Sequence, residues 1–223
     1  MLHNKTIAVV IPAYNEEKQI VKVIRSMPDF VDRIVVVNDC STDNTAAVVE
    51  EFIHGDVVNY FNPLIAPVLV VPNDYNEADV VLQQIFADEI KYFVPSAIAN
   101  ARPENNRIIL INHLQNGGVG AAIARGYKWC KDNEIDCTAV MAGDGQMDPG
   151  ELESICTPVV TENIDYVKGN RLMHKSAKYV IPKQRRFGNS VLSIVTKLAS
   201  GYWRVSDTQT GYTAISLNAL KSI

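Results

Sequence analysis

The stretch Val140-Met-Ala-Gly-Asp-Gly-Gln-Met-Asp-Pro-Gly150 decides how the chain folds. An apolar run, Thr138 to Ala142, ends abruptly in Gly143-Asp144-Gly145-Gln146, and Asp148-Pro149 then opens a new segment. This reads as a buried strand that stops at the edge of a sheet and delivers Asp144 and Gln146 beyond its carboxyl end. Open α/β sheets bind ligands in that crevice. Gly143 and Gly145 allow a tight turn and leave space for a large group beside the backbone. Asp148 and Pro149 suit the N-cap and first position of a helix. Two oxygen ligands on a glycine-rich strand end suit a divalent cation shared with phosphates. An ordinary strand-turn-helix corner with a capping Asp explains the same residues equally well, so the rest of the chain has to decide.

The pattern recurs on both sides. Thr6 to Pro12, Arg33 to Asn38 and Arg107 to Asn112 are continuous runs rich in β-branched residues, as parallel strands buried on both faces require. The first is followed by a helical pattern from Asn15, with Ile20, Val23, Ile24 and Met27 on one face and Pro28 as its stop. The second runs into Asp39-Cys-Ser-Thr-Asp-Asn-Thr45 and a helix through about Ile53, which Ser41 or Thr42 is placed to cap. The third runs into Gln115-Asn-Gly-Gly-Val-Gly120 and a helix from Ala121 to Lys131. Its start, rich in backbone N–H groups, favours phosphate. Asp165 to Arg171 reads as a short strand, residues 183–201 as an amphipathic helix, and Val205 to Ser216 as a polar loop entering a last strand. Strand and helix alternate, which predicts one α/β domain over residues 1–223: a mostly parallel sheet flanked by helices on both faces.

Residues 55–106 interrupt that rhythm and read as an insertion. They hold a proline-broken apolar piece, Tyr60 to Pro72, and a helix from Glu77 to about Phe93 with Val80, Val81, Ile85 and Phe86 on its apolar face. Three readings stand open: a decoration, which is favoured, a contact in a homo-oligomer, and a membrane-facing flap.

Composition narrows the classes. A chain of 223 residues buries one sizeable core. Its net charge of -4 hides an asymmetry, because Tyr166 to Ser206 contains nine basic residues and no acidic one. Such a face meets phosphate or an anionic membrane surface. Nucleic acid is disfavoured, since few aromatics alternate with those charges. The four cysteines have no metal-ligand spacing and read as reduced thiols in a cytoplasmic setting, at the inner face of the membrane if the basic stretch meets lipid. No signal-peptide pattern opens the chain. The longest uncharged run, Val57 to Asn73, is broken by Pro63 and Pro67 and does not read as a membrane span.

Taken in order, IPAYNEE, NDCSTDNT, NGGVGAAIARGY, AGDGQMDP, GNR and SDTQTGY resemble family 2 glycosyltransferases with the Rossmann-like GT-A fold, and most closely the polyprenyl- and dolichyl-phosphate sugar synthases. The resemblance spans nearly everything outside 55–106. It implies an inverting, metal-assisted transfer of a sugar from a UDP- or GDP-sugar to a polyprenyl phosphate or a glycan. It implies nucleotide contacts from Pro12, Ala13, Tyr14, Glu16, Asp39, Asn116, Gly117, Gly120, Arg125, Gly143 and Asp144. It assigns Mg²⁺ or Mn²⁺ to Asp144 and Gln146, catalytic roles to Asp144, Arg171 and Asp207, and acceptor or phosphate contacts to Thr208, Gln209 and Thr210. Arg185 and Arg186, at the basic start of the 183–201 helix, add further positive charge for the phosphates.

Two departures stand out. Ala142 occupies the first acidic position of the Asp-x-Asp metal motif, and Asn38 replaces an acid beside Asp39, changing base or ribose contacts. Mg²⁺ needs only one or two carboxylates when phosphates share it, so Asp144 suffices. The lost acid nevertheless leaves a rival: a nucleotide-binding module without turnover. A nucleotidyltransferase is disfavoured, because Ala13-Tyr-Asn-Glu-Glu17 after the first strand is acidic and free of glycine.

Overall fold

The computed structural model describes residues 1–53, 73, 76–169, 194–199, 201 and 211–223. Its strands are β1 (Ile7–Ala13), β2 (Arg33–Asn38), β3 (Ser96–Ile98), β4 (Ile108–His113), β5 (Cys137–Val140), β6 (Tyr166–Lys168) and β7 (Thr213–Ser216). The helices are α1 (Ile20–Arg25), α2 (Thr45–Glu50), α3 (Glu77–Ile90), α4 (Gly118–Asp132) and α5 (Leu152–Thr161), followed by a final helix, Leu217–Ser222. Residues 194–199 are also helical. One sheet of seven strands runs in the order β3-β4-β2-β1-β5-β7-β6. The four central strands are parallel, as their β-branched runs require. Both edges are antiparallel: β3 on β4, and β7 between β5 and β6.

Alternation along β1 sorts the core into two layers. Ile7, Val9 and Ile11 pack with Ile20, Val23, Leu152 and Ile155 from α1 and α5. Ala8 and Val10 face the other way, against Ala122, Trp129 and Cys130 of α4 and Leu220 of the final helix. Strands buried on both sides need no polar alternation, which is why they read as unbroken apolar runs.

Sequence and structure differ in places. The helix expected from Asn15 begins at Ile20, because Glu16 to Gln19 form a turn in which Gln19 N and Ile20 N both donate to the Glu16 carbonyl. Strand β3 was not anticipated; three residues in an irregular segment carry too little pattern. On α3, Val81 and Ile85 are exposed, so the expected apolar face does not pack on the core at those positions. Instead an ion pair holds α3 to α4: Lys128 Nζ lies 3.2 Å from Glu89 Oε2. The Tyr60 to Pro72 piece and most of the 183–201 helix lie outside the described residues. Among the described residues no helix is long and apolar enough to cross a membrane.

Candidate active site

A cleft of about 210 Å³ opens at the carboxyl ends of β1, β2 and β5, lined by Pro12, Ala13, Tyr14, Glu16, Asp39, Val119, Ala122, Ala142, Gly143 and Asp144. The switch point produces it: β1 lies between β2, whose chain continues to one side, and β5, whose chain continues to the other.

Three loops build the walls. Asn15 adopts a left-handed φ of 58°, turning the β1 loop toward the β2 loop. Asn15 N donates to Ser41 Oγ at 3.0 Å, and Asn15 Oδ1 accepts from Thr42 N at 2.8 Å. Glu16 N donates to Thr45 Oγ1 at 2.9 Å. The Ser41 and Thr42 hydroxyls therefore brace the β1 loop and do not cap α2, whose N-cap is Asn44 without a side-chain bond.

The Asp144 turn sits against the same loop. A Cβ on Gly143 would meet the Pro12 carbonyl at 3.3 Å, and one on Gly145 would meet Gln19 Oε1 at 3.5 Å; Gly145 also has a φ of +71°. Both glycines are thus demanded, one by close approach and one by backbone conformation. Asp144 Oδ1 accepts from Gln146 N at 3.0 Å, and Asp148 caps the next turn by accepting from Gly150 N at 2.9 Å. The Tyr212 hydroxyl donates to the Asp148 carbonyl at 2.8 Å, tethering the turn to the residue before β7. Burial, then the Asp144 and Asp43 carboxylates, push the Glu16 carboxyl above its ordinary value. Two carboxylates that repel across a cleft suit a divalent cation. Among the described residues no cluster of three or more His, Cys, Asp or Glu side chains forms a fuller cage.

Asp39 is bonded through both carboxylate oxygens. Its Oδ1 accepts from Gly117 N and its Oδ2 from Gly118 N, at 2.8 and 2.7 Å. His113 Nδ1 lies 2.8 Å from Oδ1, and Asn116 Nδ2 donates to the Asp39 carbonyl at 3.1 Å. The expectation that the glycine amides bind phosphate is therefore corrected for Gly117 and Gly118, because an internal carboxylate already fills the start of α4. Asn38 is likewise turned inward: its Nδ2 donates to Asn112 Oδ1 at 2.9 Å and its Oδ1 accepts from Ser41 N at 3.1 Å. It locks β2 to β4.

Of the anticipated residues, Pro12, Ala13, Tyr14, Glu16, Asp39, Gly143 and Asp144 line the one cleft. Asn116, Gly117 and Gly120 lie on the adjoining loop and the first turn of α4. Gln146 is exposed in the turn after Asp144 and is not among the lining residues. Arg125, also expected at the nucleotide, is buried on α4, with Nε donating to Ser96 Oγ at 2.8 Å on β3, and is not among the lining residues. Arg171, Arg185, Arg186, Asp207, Thr208, Gln209 and Thr210 lie outside the described residues. His113 and Tyr212 supply bracing that sequence reasoning missed; a histidine ending an apolar strand carries no periodic signal.

Comparison with known proteins agrees with this geometry. The sequence profile described as glycosyl transferase family 2 matches residues 8–77 and 87–223. The UDP-N-acetylglucosamine–dolichyl-phosphate N-acetylglucosaminyltransferase of Methanococcus voltae is 30% identical over 219 residues, covering 98% of this chain and 72% of that protein. An uncharacterized protein of Methanocaldococcus jannaschii is 26% identical over 223 residues, covering 100% of this chain and 69% of its own. Among solved structures, glucosyl-3-phosphoglycerate synthase from Mycobacterium tuberculosis, in complex with Mn²⁺ and UDP-glucose, superposes with a TM-score of 0.57 at 21% identity. The match covers 99% of this chain and 59% of that one, so the chain spans under two thirds of its structural relative. The sheet, its switch-point cleft and this likeness are those of the GT-A fold. The chain belongs to glycosyl transferase family 2 and is a glycosyltransferase.

Proposed function

We propose that the chain transfers a sugar from a nucleoside-diphosphate donor to a polyprenyl phosphate, inverting the anomeric carbon, with Mg²⁺ or Mn²⁺ as cofactor. The observation that carries this reading is the convergence of Asp39, Glu16 and Asp144 on one cleft at the switch point of the sheet. The acceptor and donor are supported by the Methanococcus relative, whose name specifies a UDP-sugar and dolichyl phosphate.

Asp144 and Gln146 would hold the cation, and Glu16, whose carboxyl feels Asp144, would gain from the same positive charge. When bound, such an ion acts as a Lewis acid on the departing diphosphate, a contribution of several kcal/mol to the barrier. Asp39 and the β1 loop position the nucleoside, and Gly143 leaves room for the diphosphate beside the backbone. Arg171, Arg185 and Arg186 would add positive charge to offset the negative charge that develops on the diphosphate. An acceptor phosphate oxygen forms the new bond to the anomeric carbon as the bond to the diphosphate breaks.

A lipid phosphate is already ionised at neutral pH, so no residue has to remove a proton. A sugar hydroxyl would need a base within hydrogen-bond reach, and Asp207 would be that base. The acid-free run from Tyr166 to Ser206 favours the phosphate. Each Lys or Arg near an anionic bilayer contributes about 1 kcal/mol or less, so several together hold the chain at the membrane surface. The test is incubation with UDP- or GDP-sugars, Mn²⁺ and a short polyprenyl phosphate, with the lipid fraction analysed by mass spectrometry. Lipid-linked sugar is the expected product. Free sugar alone would contradict the acceptor, and Asp207→Asn should weaken transfer to phosphate but abolish transfer to a hydroxyl.

A further inference from the structure

We propose that His113 is a positioning residue for nucleotide recognition, holding the Asp39 carboxylate so that one acceptor site remains available to the cleft. The inference rests on the donor reading above, in which Asp39 helps position the nucleoside, and takes that contact to be with the base.

An ionised carboxylate has about four acceptor sites and no donor. Asp39 Oδ1 is filled by two donors, Gly117 N and His113 Nδ1, each at 2.8 Å. Among the described residues Oδ2 receives only Gly118 N, at 2.7 Å. One site is therefore left, on Oδ2 of a residue that lines the cleft. Because the carboxylate can only accept, the hydrogen of His113 sits on Nδ1. The His113 side chain is fully buried, and its Nε2 has no hydrogen-bond partner among the described residues. An apolar ring would fill the same space without leaving a buried acceptor unsatisfied. What the imidazole adds is the N–H to Oδ1.

Without that N–H, Oδ1 keeps one donor, and the carboxylate is free to pivot between the two glycine amides. The consequence is chemical selectivity. An acceptor-only atom takes the ring N–H of a keto base, uracil N3 or guanine N1, and disfavours cytosine, whose ring N3 is itself an acceptor and whose only base donor is the exocyclic N4 amine, displaced along the ring edge. His113 thus acts on base choice through Asp39 without touching the ligand.

The experiment is calorimetry of the full chain with UDP, GDP and CDP in the presence of Mg²⁺. Wild type is expected to prefer UDP or GDP over CDP by about tenfold, the value of one charge-assisted hydrogen bond. His113→Phe should shrink that preference to below about threefold, and His113→Asn, whose amide offers an N–H near the position of Nδ1, should restore most of it. A role in stability alone would lower the melting temperature of His113→Phe and leave the preference intact, overturning the inference. If His113→Phe does not fold, nitrogen-15 spectra of wild-type histidines decide. The Nδ1–H tautomer, with a proton resonance that moves on adding UDP or GDP and not CDP, supports the inference; the Nε2–H tautomer overturns it. Failure of wild type to bind any of the three nucleotides would instead overturn the donor reading, and the inference with it.

Discussion

Gly126 of α4 lies so close to Val10 of β1 that an added Cβ would fall 2.3 Å from Val10 Cγ1. The Val10 side chain seats directly on the helix backbone at this point, in the same helix that carries Val119 and Ala122 to the cleft wall. Gly126→Ala gains helix propensity, yet the clash dominates. Overpacking of a core costs about 1–3 kcal/mol. Urea unfolding should show that loss, together with weaker nucleotide binding as α4 lifts. An unchanged midpoint would show that the helix sits further from the sheet.

Asp136 ties the start of β1 to β5, accepting from Thr6 N, Thr6 Oγ1 and Lys5 Nζ, each at 2.9 Å. Partial burial pushes its carboxyl up, but the hydrogen bonds from Thr6 and Lys5 outweigh that and hold it below its ordinary value of 3.8. The native state therefore binds this proton less readily than the unfolded chain. Its stabilisation is present above pH 3.8 and is lost as pH falls through the lowered native value. Asp136→Asn should cost about 1–3 kcal/mol at pH 7. The gap from wild type should narrow in unfolding curves taken below pH 4, and a gap that widens there would contradict the assignment.

The four cysteines should separate by reactivity. Burial pushes Cys130 up to about 12, and Cys137, held by its contact with Cys156 and by burial, is raised further. Cys156 is buried as well. Cys40 is only partly buried, with a φ of 58°, next to Asp39 at the cleft. Since the thiolate is the reactive form, a native chain should take up one equivalent of a small alkylating reagent, at Cys40. Saturating UDP or GDP should slow that modification. Modification of Cys130 or Cys137 at a comparable rate would show that the core opens.

Much of this site is legible from residue types because strand ends obey local rules. The runs Ile7–Ala13, Arg33–Asn38 and Ile108–His113 are apolar without alternation, and only a doubly covered parallel sheet accommodates them. Asp144 is found by its flanking glycines, whose conformational and steric demands are visible in the sequence. What escapes is the partner of each polar group. Nothing local distinguishes an Asp39 that faces a ligand from one that also closes the start of α4, because its donors lie 74 to 79 residues away. The partner of Arg125 escapes for the same reason: its place in the motif says nothing of Ser96, which sits 29 residues earlier on an edge strand too short to recognise. Ser41 and Thr42 look like helix caps because capping is the commoner use of a hydroxyl after a strand. Here the left-handed turn at Asn15 brings a second loop to them.

The most direct measurement compares wild type with Asp144→Ala for consumption of UDP- and GDP-sugars in Mg²⁺ or Mn²⁺, alongside calorimetric titration of the metal with UDP present. The account predicts that the variant folds normally, loses at least about a hundredfold in turnover as expected for removal of electrostatic stabilisation, and loses the metal-dependent part of nucleotide affinity. Equal turnover and equal metal dependence in the two proteins would contradict it.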